Sequence, residues 1–152
     1  MTCEIIRAKS EDAERIAPLF DAYRQFYHRP SDVAAARAFV AERLASSESV
    51  IFLAADSKAA ALGFAQMYET FTSVDLGRLW LLNDLWVEIA ARGRGVGRAL
   101  VERCVEHARA TGAARIQLET RLDNAAARAL YASAGWEFVD GSCLYNFWLE
   151  KM

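Results

Sequence analysis

The chain is poor in the residues that would mark several common functions. It has three cysteines, Cys3, Cys104 and Cys143, an odd number at wide spacing with no C-x-x-C pair. That excludes a disulfide framework and a zinc ribbon, and reads as reduced thiols in a cytoplasmic protein. There are two histidines, His28 and His107, far apart and outside any H-x-x-x-H pattern, so no metal site is expected. No apolar run approaches the ~20 residues of a membrane helix, and the N-terminus lacks a signal-peptide pattern. Neither sign of charge dominates: 18 Lys and Arg stand against 20 Asp and Glu, a net charge of -2. Bulk electrostatics therefore give no reason to expect a nucleic-acid partner. Two prolines, Pro18 and Pro30, are the only ones, and no repeat, linker or low-complexity segment appears.

What is present is a patterned globular sequence. Hydrophobic residues make up 54% of 152 positions, which suits one domain, 1-152, with a core that needs no staples. A short strand at Cys3–Arg7 opens the chain. Ser10 is placed to cap a first helix carrying Ile16, Leu19, Phe20 and Tyr23, with Pro18 expected to kink or shorten it. Ser31-Asp32 caps a second helix, roughly Val33 to Ala45. Ser49–Ala55 and Ala60–Glu69 read as a hairpin, with Gly63 a bulge or close-approach point. Thr70–Gly77 is a polar loop. Arg78–Val87 is a long apolar strand, placed at the sheet centre.

A helix from about Gly95 to Thr111 follows, with Cys104 on its core face, His107 at its solvated border and Gly112 ending it. Arg115–Thr120 returns as a parallel strand. Asp123 or Asn124 caps an alanine-rich helix to Ala134. Trp136–Val139 and Leu144–Glu150 are expected to close the chain as two strands around Asp140-Gly141-Ser142. The order β-α-α-β-β-β-α-β-α-β-β gives an α/β class: a mixed sheet of about seven strands with about four helices on both faces.

The chemistry concentrates in Leu82 to Leu100. An apolar strand runs into Arg92-Gly93-Arg94-Gly95-Val96-Gly97-Arg98, which opens directly into a helix. Backbone N–H groups at such a junction, with the helix dipole, favour an anion. A Walker loop fails here because Gly97 is followed by Arg98-Ala99, not G-K-[ST]. A dinucleotide G-x-G-x-x-G fails from Gly93, which ends on Arg98, and from Gly95, which ends on Leu100.

The form that fits is R-x-x-G-x-G at Arg92–Gly97. With Leu85-Trp86-Val87 before it, and Asn124 and Tyr131 after it, the stretch resembles the acetyl-CoA-binding core of the GNAT superfamily of N-acetyltransferases. The resemblance is strongest from about Arg78 to Val139. It implies that Leu85, Trp86 and Val87 hold the pantetheine arm where the fourth strand splays from the fifth. It implies that Gly93 to Arg98 hold the pyrophosphate, with Arg92, Arg94 and Arg98 near its oxygens and Val96 within the cradle. Asn124 and Ala127 would lie along the pantetheine. Tyr131, four residues after Ala127, would protonate the leaving thiolate, or merely pack its helix on the sheet.

An alkyl ammonium has a pKa near ~10.4, so an attacking amine must first lose a proton. Asn83-Asp84 precedes the expected bulge on the acceptor side. Asp84 is the candidate base or ammonium binder, with a structural role as the alternative. Polyamine acetyltransferases of the superfamily carry two acidic residues at the matching pair, and Asn83 departs from that. The stretches Tyr23–Tyr27, Phe71–Val74 and Leu82–Leu85 resemble the branch holding fungal histone, polyamine and D-amino-acid acetyltransferases. That likeness implies a homodimer, and an acceptor pocket to which Tyr27 and Phe71 contribute beside Asn83 and Asp84. The expected function is acetyl transfer from acetyl-CoA to a small-molecule or peptide amine. A non-catalytic acyl-CoA sensor on the same scaffold is the alternative.

Overall fold

Ser49–Ala55 has apolar residues on both faces of the strand, so it must lie between two covering layers. In the structure, a computed structural model describing residues 2–149, all seven of its residues are buried. It is β2 of a five-stranded sheet in the order β1-β2-β3-β4-β5. The others are β1 (Glu4–Arg7), β3 (Ala61–Thr72), β4 (Gly77–Val87) and β5 (Arg115–Gln117). The first three pairings are antiparallel and β4–β5 is parallel.

Strand alternation divides the core in two. Phe52, Met67, Trp80 and Leu82 pack with Val96, Leu100, Val101 and Cys104 of α3 (Val96–Ala110). Ile51, Leu53 and Phe64 meet Ile16, Leu19 and Phe20 of α1 (Ala13–Phe26) and Val40 of α2 (Val33–Ala45). A fourth helix, α4, spans Ala125–Ser133. The mixed α/β architecture with helices on both faces is the one expected from sequence.

Caps and close contacts explain the boundaries. Asp32 accepts the Ala35 N–H at 2.9 Å and starts α2. Gly63 is a close-approach point, since a Cβ there would lie 2.6 Å from the Trp86 carbonyl oxygen. Pro18 sits inside α1 without ending it. Its missing N–H costs one bond, to the Glu14 carbonyl, near the helix start. Ser10 does not cap α1; a 3-10 turn at Ser10–Asp12 precedes the helix, and Asp12 Oδ2 accepts the Lys9 N–H at 2.8 Å.

Other expectations are corrected. The described sheet has five strands rather than about seven, and β3, not β4, is central. β5 ends at Gln117. Trp136–Val139 and Leu144–Leu149 form no strand; Glu150 lies outside the described residues. A β-former needs a partner edge, and among the described residues none pairs with this segment. His107, expected at the solvated border of its helix, is half-buried there and stands edge-on to Trp80 and Phe52, with ring centroids 5.0 and 5.7 Å away.

The junction of α1 and α2 rests on one buried acid. Asp21 accepts from Ser31 Oγ at 2.7 Å, the Asp32 N–H at 2.7 Å and Gln25 Nε2 at 3.0 Å. Burial pushes its carboxyl up, but Ser31, the Asp32 N–H, Arg24 and Gln25 outweigh this and hold it below 3.8. A depressed native value adds stability that is present above the unfolded value and lost as pH falls through the native one. Asp21→Ala, which leaves buried donors without an acceptor, is expected to cost about 1–3 kcal/mol in urea unfolding at neutral pH. The difference from wild type should shrink once the pH drops below that window.

Candidate active site

β4 gains one residue on its neighbour at Asn83. Gln66 pairs with Asp84 and Met67 with Leu82, so Asn83 is extra on β4. Such a bulge shifts the two-residue alternation by one. Before it, Trp80 and Leu82 face α3; after it, Leu85 and Val87 do. Asp84 and Trp86 therefore turn to the α1 side, where Trp86 joins the α1–α2 cluster.

On its other edge β4 pairs with β5 only at Leu79, Trp80 and Leu81. From Leu82 to Val87, roughly 20 Å of strand at ~3.3 Å per residue, no described strand lies on the β5 side. This is the splay expected around Leu85, Trp86 and Val87. The chain then passes through a 3-10 turn at Ile89–Ala91 to Gly93 and Gly95, with φ of 72 and 81. Both sit in the left-handed region that favours glycine. Gly95 is the N-cap of α3; no side chain caps the helix and no acidic residue stands in its first turn. The leading N–H groups of Val96, Gly97 and Arg98 thus face outward from the positive end of a 15-residue helix.

The arginines are largely committed to the protein. Arg92 Nε donates to the Val87 carbonyl at 2.9 Å, and its guanidinium lies 4.6 Å over the Trp86 ring. Arg98 Nε bonds Glu102 at 2.9 Å, and its Nη groups donate to Ser133 Oγ at 3.1 Å and the Ser133 carbonyl at 3.2 Å. Its side chain binds α3 to α4, so its share in an anion cradle is its backbone N–H. Arg94 stands between the two glycines on the same loop. Gly97 adjoins both Val87 of β4 and Leu130 of α4.

Asn124 is the N-cap of α4. Its Oδ1 accepts the Ala127 N–H at 3.2 Å and its Nδ2 donates to Thr120 Oγ1 at 3.4 Å. Tyr131 packs against Trp136 at 5.7 Å between ring centroids. Burial, with the nearby Tyr27 and Cys104, pushes its phenol up to about 12.

Asp84 is buried, 5% exposed. Gln66 Nε2 donates to one carboxylate oxygen at 2.6 Å and Asn83 Nδ2 to the other at 3.0 Å. Burial raises its carboxyl above 3.8 in spite of these bonds and of Tyr23. Tyr23 reaches over from α1 and donates to the Asn83 carbonyl at 3.2 Å. Its own phenol is raised, first by burial and then by the Asp84 charge. Tyr68 is pushed to about 12 for the same two reasons. Tyr27 lies 5.1 Å from Tyr23, ring to ring, and completes an aromatic wall with Phe26 and Trp86.

The structure thus gathers Asn83, Asp84 and Tyr27 on one side of β4, and runs Leu85–Val87 on into Gly93–Arg98 at the start of α3, where α4 meets them through Leu130, Tyr131 and Ser133. Asn124 and Ala127 lie on the first turn of that helix and have only local bonds. It does not bring Phe71 to them. Phe71 pairs with Arg78 at the far end of β3, roughly 17 Å along the strand from Gln66, and is 72% exposed. Sequence reasoning missed Gln66 and Tyr68 and assigned Tyr23 to simple packing. Gln66 left a signal: it is the one amide inside the apolar run Leu62–Met67. Tyr23 and Tyr68 left none, because their neighbour Asp84 is remote in sequence.

A sequence profile of the acetyltransferase (GNAT) family matches residues 14–136. The chain belongs to that family. This GNAT chain is 44% identical over 141 residues to YhfO of Bacillus subtilis, an uncharacterised N-acetyltransferase, covering 93% of this chain and 94% of the relative. It superposes on the crystal structure of a probable acetyltransferase with a TM-score of 0.91 and 35% identity, over 98% of this chain and 99% of the other. An aminoglycoside N-acetyltransferase solved with CoA shares the GNAT fold at a TM-score of 0.81 and 18% identity, over 96% of this chain and 95% of that one.

The raised carboxyl of Asp84 has a definite pH signature. The folded state holds the proton more tightly than the unfolded state, so stability falls as pH rises from 3.8 through the native value. Asp84→Asn removes the buried charge. The new carboxamide can donate to Gln66 Oε1, a buried atom with no hydrogen-bond partner. The variant is expected to melt above wild type at pH 7, with the gain vanishing towards pH 4, in parallel thermal melts.

Proposed function

We propose that this chain, taken as one domain over 1-152, is an acetyl-CoA-dependent N-acetyltransferase working in the cytoplasm by direct attack of a primary amine. The observation that carries the reading is the continuity of two open features: the unpaired β5 side of Leu82–Val87 and the uncapped start of α3. An extended amide-bearing arm matches the first and a pyrophosphate the second. The donor set fits, since Gly93 and Gly95 have nothing within 4 Å of where a Cβ would stand. In this reading Leu85–Val87 hold the arm by their backbone, Gly93 to Arg98 hold the phosphates, and Asn124 and Ala127 flank the arm from α4.

When bound, acetyl-CoA supplies an activated acetyl group as a thioester. The protein's own part is positioning and proton management. Tyr131, with its phenol at about 12, keeps its proton at neutral pH and holds it ready at Oη for a departing thiolate. Asp84, whose carboxyl is raised by burial, is the acid that meets the positive charge of an arriving ammonium beside the aromatic wall of Tyr23, Phe26 and Tyr27. A strand N–H near Leu85 polarises the acyl carbonyl. The acceptor class is a small-molecule or peptide amine. The finer likeness to the fungal histone, polyamine and D-amino-acid branch gains no support from the bacterial relative, so the amine is not narrowed by it.

The test is free-thiol release from acetyl-CoA with a panel of polyamines, amino acids and lysine peptides. Wild type is expected to turn over with at least one class. Tyr131→Phe should lower kcat by about 10²-fold or more, with the CoA dissociation constant within about twofold of wild type. Tight CoA binding without thiol release for any amine would instead favour an acyl-CoA sensor.

A further inference from the structure

A cleft of about 560 Å³ opens at the end of the sheet opposite the glycine loop. Its walls are the first residues of β2 and β4, the chain just after β1, and the last turns of α2 and α3. The volume lies within the ~300–1,000 Å³ of small-molecule sites. From Trp80, which lines it, to Val87 is roughly 23 Å of strand. Likewise α3, with His107 in its last turn, puts roughly 22 Å between this cleft and its own uncapped start. A molecule held here is remote from the path proposed for acetyl-CoA.

Three cations and one acid line the cleft: Arg7, Lys9, Arg78 and Glu69. Arg78 is committed within the protein. Its Nε donates to Glu69 at 2.9 Å and its Nη1 to the Thr111 carbonyl. Arg7 and Lys9 stand at the exposed mouth and form no ion pair with a described residue. The charge of Arg7 reaches across to His107, whose imidazole is held below 6.5 first by burial and then by Arg7 and Arg103.

Deeper in the cleft a polar group lacks a partner. Ser49 is 8% exposed, and its buried Oγ has no hydrogen bond. Such a group is unfavourable unless something meets it. The pairing of β1 with β2 ends at Arg7 and Phe52, followed by a bond from the Ala8 N–H to the Ile51 carbonyl at 2.9 Å. Ser49 lies beyond that last rung, so no described strand covers it on the β1 side.

We propose that this cleft binds a small organic dianion, a phosphate monoester or a dicarboxylate. Its charged end meets Arg7, Lys9 and the Ser49 hydroxyl, and its carbon body lies on Leu44, Val50 and Trp80. Arg7 supplies a planar fork, Lys9 a point charge and Ser49 an O–H donor, three kinds of group that oxyanions accept from. Two unpaired cations match a double negative charge. The apolar wall and the volume call for more than a bare ion. The inference rests on charge, burial and shape and does not depend on acetyl transfer.

Phenyl phosphate and succinate are the probes, with spermidine as the cationic control, read by ¹H–¹⁵N NMR of the full chain. At least one of the two anions is expected to give saturable shifts at Ala8, Ser49 and Val50; which of them does so names the class. Spermidine should give none there. A phosphate can also meet the start of α3, so the titration is repeated with CoA at saturation. Shifts at Gly93–Arg98 should then vanish and those at Ser49 persist. If CoA itself does not bind, the transferase reading fails, while the shifts at Ser49 still decide this one. Arg7→Gln with Lys9→Gln should weaken binding about tenfold or more, and Ser49→Ala about threefold. Ser49→Ala removes a hydroxyl that bonds nothing in the protein, so it should keep the wild-type melting temperature and serve if the double variant does not fold. No saturable shift at Ser49 with either anion, shifts confined to Gly93–Arg98, or wild-type affinity in both variants overturns the site.

Discussion

One extra residue in β4 decides how the site is built. Without the bulge at Asn83, Asp84 would share the face of Trp80 and Leu82 and point a carboxylate into the core beneath α3. With it, Asp84 faces α1 and meets Tyr23, while Leu85 and Val87 keep the apolar contact with α3. The same irregularity lies two residues past the last β4–β5 pair, at Leu81. β4 thus remains fastened to β3, close enough at Gly63 to exclude a Cβ, as it parts from β5. A strand held on one side and open on the other leads straight into the glycine loop and the start of α3. The buried acid follows from this distortion, and the open edge and the uncapped start of α3 lie directly downstream of it on the same strand.

The buried acid is held at a cost. A carboxylate in low dielectric is unfavourable unless paired or hydrogen-bonded. Asp84 receives two amide donors, from Gln66 and Asn83, yet its carboxyl is still raised. Its charge in turn raises the phenols of Tyr23 and Tyr68. All three groups are displaced upward first by burial, and the two phenols further by the Asp84 charge, which makes this the most strongly perturbed cluster on β4. Asp21 is the contrast. It too is a buried acid on the α1 side, but hydrogen bonds and Arg24 hold its carboxyl below the ordinary value, and it serves as a structural tie.

What could be read from the sequence was whatever local pattern determines. Asp32 and Asn124 cap helices because their side-chain oxygens need only the next turn. β2 took its predicted bounds because a short apolar run between turn residues leaves few alternatives. Gly93 and Gly95 were legible because their positive φ is a single-residue property. Contacts that depend on non-local register were not. Phe71 seemed to belong with the acceptor residues, but pairing with Arg78 carries it to the far end of β3. Tyr23 seemed an ordinary member of an apolar stripe, and only the packing of α1 on β4 brings its hydroxyl to Asn83. Arg98 looked like a phosphate ligand by position; its side chain instead finds Glu102 and Ser133, since α4 docks beside it.

The failure of the two terminal strands has a different cause. Their composition was read correctly as strand-forming, but propensity in a sheet is mostly the worth of a neighbour. The candidate site straddles a divide at Thr111. Asp84, Leu85 to Val87 and the glycine loop belong to the part that carries the fully buried core, while Asn124, Ala127 and Tyr131 belong to the part with no fully buried residue, Tyr131 packing half-buried against that core. α4 is tied to the first part by Arg98 at Ser133 and by Leu130 against Gly97. Leu130 and Tyr131 also pack, half-buried, against the core cluster beneath α3, and these contacts are the apolar part of what holds a nine-residue helix in place. Under the proposed function, a phenol that must stand within hydrogen-bond reach of one sulfur depends on those contacts for its position. In the proposed reading the docking of α4 on the core therefore matters to the chemistry as much as the strand and loop that carry the cofactor.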